Sequence, residues 1–278
     1  MDVVWITDPH LNFVPHPEAF GAYVAERKPG AVLITGDIAE VTSLARCLVA
    51  FQTGLGSGVP VWFVLGNHDA YSGSVELAKT VAEALTDKYA DLIYLGSPKC
   101  SAIELCAGNW LVGVDGWYDA AAGLPFESTV ELSDFSLVAE MRVTRAASGR
   151  DIQGARVGAA RRLAQPEAEL AKTKLAKVLR KKPKRVVFAT HVPPYAEATF
   201  HEGRLSNANW VPWFSNLCLG KVLAEAAAAH PEVEFEVYCG HTHSSGTYRK
   251  APNLIVQVGA AKYAVPDVAG TLRFEEGL

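Results

Sequence analysis

Five short stretches hold side chains able to bind metal ions or move protons. They are Asp8-Pro9-His10, Gly36-Asp37, Gly66-Asn67-His68-Asp69, Thr190-His191 and Gly240-His241-Thr242-His243. Carboxylate, imidazole and one amide oxygen form a donor set suited to manganese, iron, zinc or cobalt, and no thiolate is among them. Two such ions held close together lower the pKa of a shared water and clamp a phosphoryl group, so no protein nucleophile is needed. Taken singly, each stretch also reads as a turn or a helix cap. Taken together they hold five of the eight histidines of the chain, more than scatter would place there.

The elements that must position these residues are legible as short apolar runs. Residues 3–7, 31–35, 61–65, 185–189 and 234–239 read as strands. Each of the five stretches begins just past one of them. Open α/β sheets bind ligands at the carboxyl ends of their strands, and the recurring glycines suit sharp turns there. Residues 17–28, 41–52 and 74–89 read as amphipathic helices, so the chain opens as β-α-β-α-β-α around a parallel sheet. Residues 93–95, 101–106 and 110–114 are strand candidates, with Gly108-Asn109 as the turn between the last two. A helix is expected over 133–145, capped by Ser133 or Asp134. Another is expected over 155–182, broken or restarted at Pro166. Residues 192–215 read as a long loop without structure of its own, and 216–229 as a helix. The runs 246–249, 254–258 and 271–274 read as antiparallel strands. Candidate ligands lie toward both ends of the chain, which implies one domain over 1–278.

With 278 residues, 49% hydrophobic and 20% charged, the chain can bury a full core. Its net charge of −4 carries no strong nucleic-acid signal. The basic run 180–185 reads as a helix end that complements the helix dipole. Five cysteines, an odd number without CxxC spacing, fit a reducing compartment better than a disulfide framework. Residues 1–6 read as a core strand rather than a leader, and no apolar run has bilayer length, so a cytoplasmic protein off the membrane is expected.

In this order and combination, the motifs resemble the calcineurin-like metallophosphoesterases over nearly the whole chain. The resemblance implies a four-layer α-β-β-α sandwich, with two mixed sheets face to face. It implies that Asp8, His10, Asp37 and His243 hold one metal, that Asp37, Asn67, His191 and His241 hold the other, and that Asp37 bridges. The ions would be divalent or trivalent manganese, iron or zinc, and a hydroxide shared between them would attack the phosphorus. His68 would contact the phosphate and protonate the leaving oxygen, with Asp69 orienting His68. Asn67, His68, Tyr195 and Arg204 are candidate substrate contacts. Residues 115–154 resemble an insert that varies within the family. The implied activity is a phosphodiesterase or phosphomonoesterase acting on a small molecule such as a nucleotide. The alternatives are a phosphoprotein phosphatase or a non-catalytic scaffold. The protein phosphatases usually carry Glu where Asp69 stands, and scaffolds usually lose ligands that are all present here.

Overall fold

The computed structural model describes residues 1–143 and 149–274, the side chains of 149–151 excepted. The chain opens with β1 (Asp2–Ile6), α1 (Pro17–Ala25), β2 (Ala31–Thr35), α2 (Val41–Leu55), β3 (Val61–Val64), α3 (Val75–Lys88) and β4 (Leu92–Tyr94). A hairpin of β5 (Ile103–Cys106) and β6 (Asn109–Gly113) follows, then a one-turn helix α4 (Asp134–Leu137) and the long α5 (Gly149–Leu179). The remainder is β7 (Arg185–Ala189), β8 (Phe200–His201), β9 (Arg204–Leu205), α6 (Val211–Phe214), α7 (Leu217–Ala229), β10 (Glu234–Cys239), β11 (Gly246–Ala251), β12 (Leu254–Val258) and β13 (Gly270–Arg273).

The strands form two main sheets, in the orders β13-β1-β2-β3-β4 and β11-β12-β10-β7-β6-β5. Both are mixed. The inner strands β1 to β4 run parallel, as do β6, β7, β10 and β12, while β13, β11 and β5 are antiparallel edges. Alternation along the strands makes the four layers. Val4, Ile6, Val32, Ile34, Val61 and Phe63 face α1, α2 and α3. Their neighbours Val3, Trp5, Leu33, Trp62 and Val64 meet Leu111, Val187, Ala189 and Tyr238 of the second sheet. Val186, Phe188, Phe235 and Val237 turn outward onto α5 and α7. Strands covered on both faces are apolar at most positions, and this is why β1, β2, β3 and β7 read as near-continuous hydrophobic runs, while β10 carries Glu234 and Glu236.

Several expectations are corrected. The helix expected over 133–145 is cut to α4 and a 3-10 turn at Ala139–Met141. Ser133 holds the N-cap position but its side chain makes no capping bond, the Asp134 carboxylate accepts hydrogen bonds from Tyr71 and Tyr118 instead, and Val138 leaves the helix to bridge Gly73. The rest of that stretch, 144–148, lies outside the described residues. Helix α5 starts at Gly149 and runs through Pro166 unbroken. One lost backbone bond is tolerated there because Ala164, Glu167, Ala168 and Ala171 are buried on either side. Residues 192–215 are not structureless. They hold α6 and a two-stranded β8–β9 hairpin whose turn residues, Glu202 and Gly203, are both at positive φ. The last three strands are not a single antiparallel set, since β12 runs parallel to β10 and β13 crosses to pair with β1.

Candidate metal centre

The strand-end loops are tied to one another before any side chain enters. Asp8 N–H donates to Gly36 O, His10 N–H to Asp37 O, Gly240 N–H to His191 O, and His191 N–H to Asp115 O. Eleven non-glycine residues have positive φ among the described residues, and five of them are Asp8, His10, Asp37, His241 and His243. Such backbone is disfavoured for residues with a Cβ, so its concentration here marks a place where function outweighs local strain. Gly36, at φ +87°, is needed for space as well: a Cβ there would stand 2.6 Å from His191 Nδ1.

Two donor groups result. In the first, one ligand atom each of Asp8, His10, Asp37 and His243 lies within 4.8 Å of the others. His10 Nε2 and His243 Nε2 are 3.1 Å apart, and Asp8 Oδ1 is 3.4 Å from His243 Nε2. In the second, Asn67 Oδ1 is 3.1 Å from His191 Nε2 and 2.9 Å from His241 Nδ1. Asp37 stands between the groups, with Oδ1 3.3 Å from His191 Nε2 and Oδ2 3.9 Å from His10 Nε2.

The outward atoms of several of these residues are fixed by specific partners. His191 Nδ1 is 2.9 Å from Thr35 O, and His241 Nε2 is 2.9 Å from Trp213 O, so in each ring the other nitrogen faces the centre. Asn67 Nδ2 donates to Asp134, which turns the amide oxygen inward. Asp8 accepts hydrogen bonds from Thr7 Oγ1 and from His241 N–H. Protonation follows the same geometry. Burial brings His10 and His241 down to about 4, which favours the neutral imidazole a metal requires. Burial also pulls on His191, but the Asp37 carboxylate overrides it and holds His191 at about 10. Burial opposes ionisation of Asp37 as well, yet His191 and His68 keep its pKa well below the usual carboxylate range. The donors fit metal ions: nitrogen and oxygen atoms converge from buried and half-buried residues, and the outer atoms of Asn67, His191 and His241 are already engaged, while His10 Nδ1 is buried without a partner.

The remaining expected residues divide. His68 lies at the mouth, its Nε2 3.9 Å from Asp37 Oδ2, its ring stacked on Tyr71 at 4.1 Å. Asp69 does not orient His68. Its carboxylate accepts from the backbone N–H groups of Ile38, Ala39 and Gly66, and so ties the loop after β3 to the loop after β2. Burial, then repulsion from Asp37, raises its pKa to about 8. Tyr195 is a core residue, with its hydroxyl bonded to Gly220 O and its ring against Tyr248. Arg204 sits exposed on the β8–β9 hairpin, outside the residues lining the cleft above the centre.

Sequence reasoning missed Tyr263, Tyr71 and Asp134. Tyr263 lies over His10 at 4.4 Å, and its hydroxyl is 3.4 Å from His68 Nε2. Tyr71 and Asp134 form a hydrogen-bonded pair behind Asn67. Only Tyr71, three residues past His68, carried a positional hint. Tyr263 and Asp134 sit in segments with no motif.

Comparison with known proteins agrees with this geometry. The sequence description of the calcineurin-like phosphoesterases matches residues 1–245. No curated protein matches the chain. Among solved structures, the chain is similar to the phosphopantetheinyl hydrolase of Mycobacterium tuberculosis, with TM-score 0.61 and 14% identity over 94% of this chain and 89% of that one. It is also similar to a dimetal phosphatase from Danio rerio, with TM-score 0.58 and 13% identity over 98% and 91% of the two chains. Both likenesses concern the shared fold. The matched sequence, the two face-to-face sheets and the clustered donors lead to one conclusion: the chain belongs to the calcineurin-like phosphoesterase family and is a metal-dependent phosphoester hydrolase.

Proposed function

We propose that this chain, acting as one domain, hydrolyses a phosphomonoester or phosphodiester of a small molecule such as a nucleotide. Two metal ions, manganese, iron or zinc, would be held by seven residues. Asp8, His10, Asp37 and His243 would hold one, and Asp37, Asn67, His191 and His241 the other. The observation that carries this reading is Asp37, whose two carboxylate oxygens face two separate donor groups. When bound, the metal pair supplies a water of lowered pKa as nucleophile and offsets the charge that grows on the phosphoryl oxygens.

The rest is the work of the chain. Tyr71 beneath His68 and Tyr263 beside it hold the imidazole at the cleft mouth, next to the bridging carboxylate. From there His68 contacts the phosphate and delivers a proton to the departing ester oxygen. Asn67 stands beside it as a second phosphate contact. Tyr263, over His10 and His243, shields those imidazoles from water. Five cysteines, an odd number without CxxC spacing, agree with a reducing, intracellular setting. No helix among the described residues is long and apolar enough to cross a membrane.

The test is metal content measured beside turnover. Wild type loaded with manganese should hold two ions per chain and cleave p-nitrophenyl phosphoesters. Asp37→Ala should lose both ions and all turnover. An Asp37→Ala protein with full activity after metal stripping would refute the two-metal reading.

A further inference from the structure

The cleft above the metal centre is about 300 Å³. Its lining is uneven in a way that bears on the substrate. Among the described residues, those that line it include the carboxylates Asp37, Glu131 and Asp134 and no lysine or arginine. Among the described lining residues, a phosphate with a second negative charge, or a polyphosphate tail, therefore meets carboxylates and no lysine or arginine beyond the metals. A diester carries one charge and needs none.

One wall is aromatic and starts at the metal centre itself. Phe214 sets its edge against His241 at 5.3 Å, Trp210 lies 5.3 Å from Phe214, and His201 stacks on Trp210 at 5.9 Å with ring planes 29° apart. This ladder runs from His241, a residue of the second donor group, outward along the cleft wall to His201. The neighbouring Trp213 is spent on packing: it is fully buried and its indole N–H donates to Ser128 Oγ. Trp210 differs. It is partly exposed in the cleft, and its indole N–H has no protein partner among the described residues. Its position is set in advance, because Asn207 accepts hydrogen bonds from the Trp210 backbone N–H through both its own carbonyl and its side chain. A partly exposed indole whose backbone is already held stacks planar groups without a large ordering cost.

We propose that the cleft selects a phosphodiester, one of whose ester groups is a planar ring of nucleobase type stacked on Trp210, with His201 and Phe214 framing it. This rests on the hydrolase reading above and narrows its substrate. The test uses manganese-loaded enzyme and three chromogenic esters: the p-nitrophenyl diester of thymidine 5′-phosphate, methyl p-nitrophenyl phosphate, and p-nitrophenyl phosphate. Wild type should prefer the thymidine diester in kcat/KM over the other two. Trp210→Ala should lose about 5- to 100-fold on that ester. The loss should appear in KM, with kcat held, as expected for binding remote from the reacting bond. Trp210→Phe should recover most of it, and methyl p-nitrophenyl phosphate should be cleaved equally by all three proteins, which also verifies folding. Equal preference for the methyl and thymidine diesters, a better rate on the monoester, or an equal loss on both diesters in Trp210→Ala overturns the inference and leaves the hydrolase reading intact. No cleavage of any ester by wild type overturns both.

Discussion

Asp69 offers a sharp test, because the motif and the structure assign it different work. If it oriented the His68 imidazole, its loss would touch turnover alone. Instead it holds three backbone N–H groups, from Ile38 and Ala39 at 2.9 Å and Gly66 at 2.7 Å. Ile38 and Ala39 are fully buried, so Asp69→Ala leaves two amides with no acceptor and no water. An unsatisfied buried donor costs about 1–3 kcal/mol, or roughly 2–6 kcal/mol for the pair. Part of this returns, since the carboxylate is itself buried beside Asp37, and its raised pKa reflects that strain. A net loss of about 2–4 kcal/mol remains. Asp69→Asn keeps one oxygen for Ile38 and Ala39 and fails only at Gly66, for a loss of about 1 kcal/mol. At roughly 2–4 °C per kcal/mol for a domain of this size, the alanine variant should melt about 5–15 °C lower and the asparagine variant a few degrees lower. The melts belong in EDTA, so that metal binding does not enter. The two loops carry Asp37 and Asn67, so metal affinity should fall in the same order as the melts. An alanine variant with an unchanged melt and unchanged metal content, reduced only in kcat, would refute the reasoning and restore the orienting role.

Other outcomes follow from the same geometry. His68→Ala should keep both metals and lose about 10²- to 10⁴-fold in turnover, the usual worth of a placed proton donor; metal content by mass spectrometry beside kcat checks it. Loss of metal in that variant would make His68 a ligand instead. Tyr195→Phe removes one buried hydrogen bond to Gly220 O and should cost about 1 kcal/mol in a urea melt with turnover unchanged. A large rise in KM there would return Tyr195 to the substrate site.

What the sequence determined by itself was the strand set and the candidate donor residues that follow it. Residues 3–7, 31–35, 61–65 and 185–189 are apolar at most positions because both faces of each strand are covered, 234–239 keeps Phe235, Val237, Tyr238 and Cys239 beside two glutamates, and β1, β2, β3, β7 and β10 lie there. The metal-capable residues stand directly after those strands, and face-to-face packing of the two sheets brings His10, after β1, and His243, after β10, within 3.1 Å across 233 residues of chain. The strand-end placement was legible locally; the packing of the second sheet on the first was not. The tertiary structure alone decided how the ligands are held and what surrounds them. The partners of His191 and His241 are backbone carbonyls of Thr35 and Trp213, which no residue type announces. Tyr263 reaches His10 from a loop with no motif, and Asp134 leaves its capping role to bind Tyr71, Tyr118 and Asn67. Periodicity could not separate Trp213, Tyr195 and Trp210, three aromatic residues of one irregular stretch. Whether such a ring packs or faces the cleft depends on the burial and hydrogen bonds its neighbours supply, and those neighbours come from the insert, from α7 and from the metal loops.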